Sequence, residues 1–298
     1  MWRKEMLMSK VEVVHKGGDN LGECPVWNQR EQSLYWVDCT GSRISAITSG
    51  GAVRTWMLPE LPGSFAFREN GGLMMAFRKG LAFVNLDAPI PEVNWLADTG
   101  IDHGMVRFND GACDRHGRFW AGTFHRKMTD RIGGLYRVDA DTSVRQMDTG
   151  IMSSNGIAWS PDNRTMYYTD SRPGVVYAYD FDLDEGSVRN RRVFLDYSTV
   201  NYGPDGCAID SMGCLWVAEV RGSRVTRYRP DGKPDSSFDL PVTRPSSVAF
   251  GGPDLSTLYI TTLVYGMGEE ERAGQPLAGS LLALNPGVTG LPQPRFQG

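Results

Sequence analysis

Long hydrophobic runs are missing from this chain. No apolar stretch approaches the roughly 20 residues that a membrane-spanning helix needs, so a helical membrane protein is excluded. No C-x-x-C pair occurs either. The five cysteines, Cys24, Cys39, Cys113, Cys207 and Cys214, are odd in number, which predicts free thiols in a reducing compartment, by default the cytoplasm. Histidine is scarce, and His15, His103, His116 and His125 lack the spacing of metal ligands. There is no excess of positive charge: the net charge is −4 and the basic residues are scattered along the chain, which argues against nucleic acid as a partner. G-x-S-x-G is absent, which excludes the nucleophile elbow of an α/β-hydrolase. The opening MWRKEMLMSK carries charges with no apolar stretch behind them, so no secretory signal is expected there. No helix-period segment longer than two turns stands out.

What the chain has is a repeat. Six copies of one phrase, an apolar run, a Gly/Asp/Asn turn and a second apolar run, recur along its 298 residues. They read CPVWNQREQSLYWVD, SFAFRENGGLMMAF, ACDRHGRFWAGT, IAWSPDNRTMYYTD, CAIDSMGCLWVAE and VAFGGPDLSTLYITT. Anchored on Tyr35, Met74, Trp120, Tyr167, Trp216 and Tyr259, the copies are spaced by 39, 46, 47, 49 and 43 residues. Two apolar runs across such a turn signal a hairpin. The segments SRISAIT, LAFVNL, GGLYRVD, GVVYAYD, SRVTRYR and SLLALN supply further strands, with alternation clearest in VVYAYD and VTRYR. A period of 40–50 residues with about four strands per unit predicts an all-β, six-bladed β-propeller of four-stranded antiparallel blades. No linker divides the chain, so residues 1–298 are expected to form one domain. The strand VEVVH, residues 11–15, has no partner within the repeat and is predicted to close the ring beside Ser280–Asn285.

One slot recurs at a fixed phase before each hairpin turn. It holds Glu23, Gly63, Asn109, Asn155, Asp205 and Ser246. In a ring of blades, equivalent positions converge on the axis at one end. Two carboxylates and two amide oxygens there suit a divalent cation: Ca²⁺, Mg²⁺ or Mn²⁺ by hardness, with Zn²⁺ or Fe²⁺ also able to bind. So few protein ligands leave open positions, which a catalytic metal needs. The bland alternative makes Asn155–Gly156 and Asp205–Gly206 simple turn formers. It does not account for Glu23 or for the shared phase.

The strings LGECPVW, RFNDGACDRHGRFWAGT, SNGIAWSPDNRTMYYTDS, PDGCAIDSMGCLWVAE and VAFGGPDLSTLYITT resemble the regucalcin–gluconolactonase family, also called senescence marker proteins, down to the closing GVTGLPQPRF. That resemblance implies a six-bladed propeller with one axial divalent cation and, in many members, hydrolysis of sugar lactones. It implies Glu23, Asn155 and Asp205 as metal ligands and Arg107 and Asn109 as the substrate-contacting pair. Asp205 is then the candidate general base beside a Lewis-acid metal. A small sugar lactone is the expected partner of a monomer or weak dimer. The chain departs from some relatives between Thr123 and Gly133: FHRKMTDRI has no glutamate, where those relatives carry a glutamate-bearing lid. Alternatives are a hydrolase of organophosphate-like esters or non-sugar lactones, and a non-catalytic calcium-binding protein.

Other features read as structural. DFDLDEG, residues 180–186, has its glycine one place late for an EF-hand and Arg191 where glutamate belongs, and is expected to be a solvated hairpin turn. Cys24 and Cys207 are expected to be small packing residues, His103 and His125 surface or loop residues, and most of the eight tryptophans core between blades.

Overall fold

Each repeat unit folds as a four-stranded antiparallel sheet in the computed structural model, which describes residues 10–96 and 100–298. After β1 (Glu12–His15), blade 1 is β2 (Gly22–Asn28), β3 (Ser33–Asp38), β4 (Arg43–Thr48) and β5 (Val53–Met57). Blade 2 is β6 (Pro62–Phe67), β7 (Leu73–Phe77), β8 (Gly80–Asn85) and β9 (Glu92–Trp95). Blade 3 is β10 (Val106–Cys113), β11 (Phe119–His125), β12 (Gly133–Val138) and β13 (Val144–Ile151). Blade 4 is β14 (Ser154–Trp159), β15 (Thr165–Asp170), β16 (Val175–Asp182) and β17 (Ser187–Asp196). Blade 5 is β18 (Gly203–Ile209), β19 (Leu215–Val220), β20 (Arg224–Tyr228) and β21 (Pro234–Asp239). Blade 6 is β22 (Pro245–Gly251), β23 (Thr257–Thr262), β24 (Leu281–Leu284) and, closing the ring, β1. The predicted closure is therefore borne out: Glu12 faces Ala283 and Val13 faces Leu282. A five-residue helix, Glu269–Ala273, lies between β23 and β24.

Burial falls from the axis outward. The innermost strands β2, β6, β14 and β22 are buried along their whole length, while β5 and β17 are mostly exposed. Adjacent innermost strands touch around the full ring. Among the described residues the core divides into six apolar clusters, and each bridges two neighbouring blades. Blades 1 and 2, for example, share Tyr35, Val37 and Trp56 with Phe65 and Met75. A single blade therefore cannot bury both of its faces, which is why the repeat is needed for stability. Trp27, Trp36, Trp56, Trp120, Trp159 and Trp216 are buried as expected, whereas Trp95 on β9 is half exposed.

Two turns of the D-x-x-G-x-Φ-W type are held by a buried aspartate. Asp210 accepts from the Met212 and Cys214 amides at 2.9 and 3.0 Å, from Trp216 Nε1 at 2.9 Å and from Arg227 Nε at 2.7 Å. Asp114 repeats the pattern with the His116 and Arg118 amides and Trp120 Nε1. Asp210→Ala leaves the fully buried indole N–H and Arg227 Nε without their acceptor, although Arg227 Nη1 keeps Asp235, and should cost about 3 kcal/mol. The expected readout is a melting temperature lower by roughly 5 °C; a melt within about one degree of wild type would show that the turn holds without its aspartate.

Two expectations need correction. The 180–186 segment is not a freely solvated turn. Asp180 and Asp182 lie within β16, the reversal occupies only 183–186, and Arg118 and Arg137 of blade 3 donate to its carbonyls. His125 is buried at the end of β11, with Nδ1 3.0 Å from Thr129 Oγ1 and 3.3 Å from Asp130 Oδ2.

The chain after β24 crosses the end of the ring opposite the slot. Ser211 N–H donates to Thr289 O, the Phe296 amide donates to Phe67 O, and Phe296 is buried between blades 2 and 3. A cavity of about 120 Å³ beneath it is lined by Val26, Phe65, Ile157, Phe250 and Leu291. This apolar half of the channel is overlaid by the C-terminal residues Leu291, Pro292 and Pro294.

Candidate functional site

In all six blades the ladder between the first and second strands is broken by a β-bulge, and each bulge lies at or next to the slot. A bulge inserts one residue, bends the strand and re-aims a side chain. Glu23 is the last paired residue before its bulge, and Cys24 just after it has a left-handed φ of 47°. Asn109 and Asp110 together oppose the single residue Gly122, and Asp205 and Gly206 together oppose Ala218. The common phase seen in the sequence is thus a common backbone irregularity near the start of six innermost strands.

Asn155 and Asp205 are strand residues, so the turn-former explanation fails. The glycines that follow them serve another purpose. A Cβ on Gly156 would lie 2.7 Å from Asp205 O, and one on Gly206 would lie 2.1 Å from Ser247 Oγ. Neighbouring innermost strands approach there too closely for any side chain. Hydrogen bonds stitch the same ring: Ser64 Oγ donates to Asn109 O at 2.7 Å, Asn109 Nδ2 to Ser154 O at 2.8 Å, and Ser246 Oγ to Gly22 O.

The polar side chains form two connected groups. Asn109 Nδ2 donates to Asn155 Oδ1 at 2.7 Å, and Asn155 Nδ2 donates to Ser171 Oγ at 2.7 Å. Arg107 Nη2 donates to Asn109 Oδ1 at 3.2 Å, and the guanidinium lies 4.6 Å from the centre of the Phe124 ring. Its Nε is buried without a hydrogen-bond partner. Burial pulls the Arg107 pKa down, opposed by the negative charge of groups that include Glu23.

The second group is acidic. Burial raises the Glu23 pKa well above the carboxylate range, and the charges of Asp205 and Asp110 raise it further, against Arg107 and the Cys24 amide. Burial and the Asp110 charge likewise raise Asp205, against the Gly206 amide. Asp110 is pushed up to about 6 by burial, despite the Gly111 amide 2.8 Å away. Asp205 Oδ1 is buried and has no partner. Burial is the largest cause in all three, and it disfavours the charged form of each carboxylate.

Asp110 was missed in the sequence. Strand periodicity would send it to the face opposite Asn109, but the bulge sets both opposite one residue, and Glu23 and Asp205 both feel its charge. The available signal was its place in RFNDG directly after a slot residue. Gly63 supplies no side chain, and Ser246 donates to a neighbouring backbone, so neither joins the acidic group. Among the described residues, no three His, Cys, Asp or Glu side chains draw together into a ready-made metal cluster. Any cation held here would need the amide oxygens or water as well.

Residues 21–264 match the protein family described as the SMP-30/gluconolactonase/LRE-like region. A 6-deoxy-6-sulfogluconolactonase of Pseudomonas putida is 41% identical over 280 residues, covering 93% of this chain and 95% of that protein. The regucalcin of Danio rerio is 37% identical over 97% of this chain and 99% of its own. The crystal structure of a calcium-binding protein, regucalcin, from Agrobacterium tumefaciens superposes with a TM-score of 0.92 at 24% identity, covering 97% of this chain and 98% of that one. The resemblance read from the repeat strings is borne out, and the chain belongs to the SMP-30/gluconolactonase/LRE-like family.

Proposed function

We propose that this protein is a sugar lactonase, a hydrolase that opens an aldonolactone to its aldonic acid, and that it uses one divalent cation at the axial slot. The reading takes 1–298 as a single propeller domain, and five free cysteines fit a cytoplasmic setting. The observation that carries it is the acidic group of Glu23, Asp110 and Asp205, with Asp205 Oδ1 buried and unpartnered. These residues fit a hard cation: carboxylate and amide oxygens are its preferred donors, and its charge would replace the protons that burial otherwise forces onto the carboxylates. Glu23, Asn155 and Asp205 would hold it. Asn109 is placed to support them: its Nδ2 donates to Asn155 Oδ1 and its Oδ1 accepts from Arg107.

Bound there, a cation would supply Lewis-acid polarisation of the lactone carbonyl. The chain supplies the rest. Asp205 is the candidate base that takes a proton from the attacking water. As the ring C–O bond breaks, that proton is returned to the leaving alkoxide as the new hydroxyl. Arg107 presents a planar fork of donors, including the unpartnered Nε, to substrate oxygens and to the negative charge of the tetrahedral intermediate.

A pH-indicator screen across aldonolactones, with stripped protein and with one divalent ion restored at a time, tests the reading. Hydrolysis that is lost on stripping and recovered with one ion supports it. Equal hydrolysis with and without metal removes the cation from it, and metal binding without any hydrolysis leaves a binding protein. Arg107→Ala should keep fold and metal but lower kcat/KM by about 2–4 kcal/mol of transition-state stabilisation. Arg107→Lys should recover only part, because a point charge lacks the fork. Unchanged kcat/KM in Arg107→Ala, with metal content measured on the same samples, would return this arginine to a structural role.

A further inference from the structure

The fold gathers at one mouth of the channel basic residues that are dispersed in the sequence. The connections between second and third strands all lie at the slot end, because the slot residues pair with the ends of the second strands. In blade 2 this connection carries Arg78 and Lys79, in blade 3 Arg126 and Lys127, in blade 4 Arg172 and in blade 5 Arg221. Lys79, Arg126, Lys127, Arg172 and Arg221 are exposed. Arg78 is turned far enough inward for its charge to be felt by Arg107. Arg131, also exposed, leans on Asp170 of blade 4 at 3.5 Å, and Arg78 and Lys79 share Glu60. Asp130 is the one carboxylate within these four connections. The corresponding connection of blade 6 carries the acidic run Glu269, Glu270 and Glu271 instead. The opposite end shows no such bias: Arg30 pairs with Glu69 there, and Arg118 with Asp114.

The chain is acidic overall, yet in one sector of one rim basic residues outnumber carboxylates, with Glu60, Asp102, Asp130 and Asp170 counted, over a site that is itself negative. A cleft lined by one sign focuses its field on incoming charge. Arg107, only partly buried, carries positive charge from this rim down to the slot. We infer that the lactone carries an anionic substituent, a sulfonate, phosphate or carboxylate, remote from the reacting carbonyl, and that the basic sector of blades 2–5 selects it. This rests on the lactonase reading and deepens it. The carbonyl end sits over the acidic slot, where a second negative charge would be repelled, and the anionic end sits at the rim. The charge separation in the protein thus sets the direction in which the substrate binds.

Matched lactones test it: D-glucono-δ-lactone against its 6-phospho and 6-deoxy-6-sulfo analogues, with a 6-carboxylate lactone as a third arm, on metal-loaded protein. The anionic substrates should exceed the neutral one at least tenfold in kcat/KM, mainly through KM, and the advantage should shrink from 20 mM to 500 mM NaCl as the rim charges are screened. The order among the three anions identifies which is used. In Arg172→Gln/Arg221→Gln and in Arg126→Gln/Lys127→Gln, the anionic-to-neutral ratio should fall toward one. Equal kcat/KM for neutral and anionic lactones at low salt, or a ratio unmoved by both variants, overturns the inference. Calorimetry with gluconate and 6-deoxy-6-sulfogluconate separates the two readings. Tighter binding of the sulfonate with no lactone turned over keeps the anion site and removes the lactonase; equal binding of the two removes the anion site.

Discussion

Asp205→Ala should lower kcat on every active lactone by a factor of about 10³ or more, the range expected when a base is removed from proton transfer. The same variant should retain its divalent cation poorly. Both effects come from one carboxylate whose Oδ1 is buried, unpartnered and raised in pKa by burial and by Asp110. The fold should not suffer. Asp205 repels Glu23 in the metal-free protein, so its removal relieves a buried like-charge contact rather than breaking a pair. Stripped Asp205→Ala should therefore melt at or above stripped wild type, while the loaded wild type melts above both, because binding to the folded state alone is stabilising. Asp205→Asn keeps the shape and loses the charge and the base, and should be as inactive as the alanine variant. Elemental analysis and kinetics on the same samples decide it. Full metal occupancy in a Glu23→Ala/Asp205→Ala double variant would sink the ligand assignment; wild-type turnover by Asp205→Asn would sink the base.

The ring was legible in the sequence because the second strand of each blade, and the first strand of four of them, is buried along nearly its whole length and so carries an apolar run. Tyr35, Trp120 and Trp216 mark second strands that water never reaches. The outermost strands left no such mark: β9 is Glu-Val-Asn-Trp and β17 carries Arg189, Asn190, Arg191 and Arg192, with exposed residues that follow no apolar period. The slot was legible as a phase, because every blade is bulged at the same place. What a bulge does to the next residue was not, and that hid Asp110. The basic rim was hidden for a different reason. Arg78, Arg126, Arg172 and Arg221 are separated by about one blade each in the chain, so no local window shows them as a patch. Only closure of the ring makes them neighbours.

That closure depends on a short strand at the other end of the chain from its partner. Removing residues 1–15 should unfold or aggregate the protein at temperatures where the full chain is stable. The truncation deletes β1, and with it the ladder from Glu12 and Val13 to Ala283 and Leu282. Val11 and Val14 are lost from the apolar clusters that join blade 6 to blades 5 and 1 respectively. His15 no longer packs beside Trp36, whose ring centre is 5.8 Å away. Each half-buried valine is worth about 1 kcal/mol and each ladder hydrogen bond about as much. Several kilocalories are therefore removed from a domain whose whole margin is expected to be only about 5–15 kcal/mol. The freed edge, Leu281–Leu284, is an apolar strand with open backbone donors and acceptors, a template for pairing with another chain. Deleting residues 1–8, which lie outside the described residues and match no strand of the sequence repeat, should leave the melt unchanged. Light scattering and thermal melts of the two truncations beside the full chain test the pairing, and equal stability of all three would mean that the ring holds without β1.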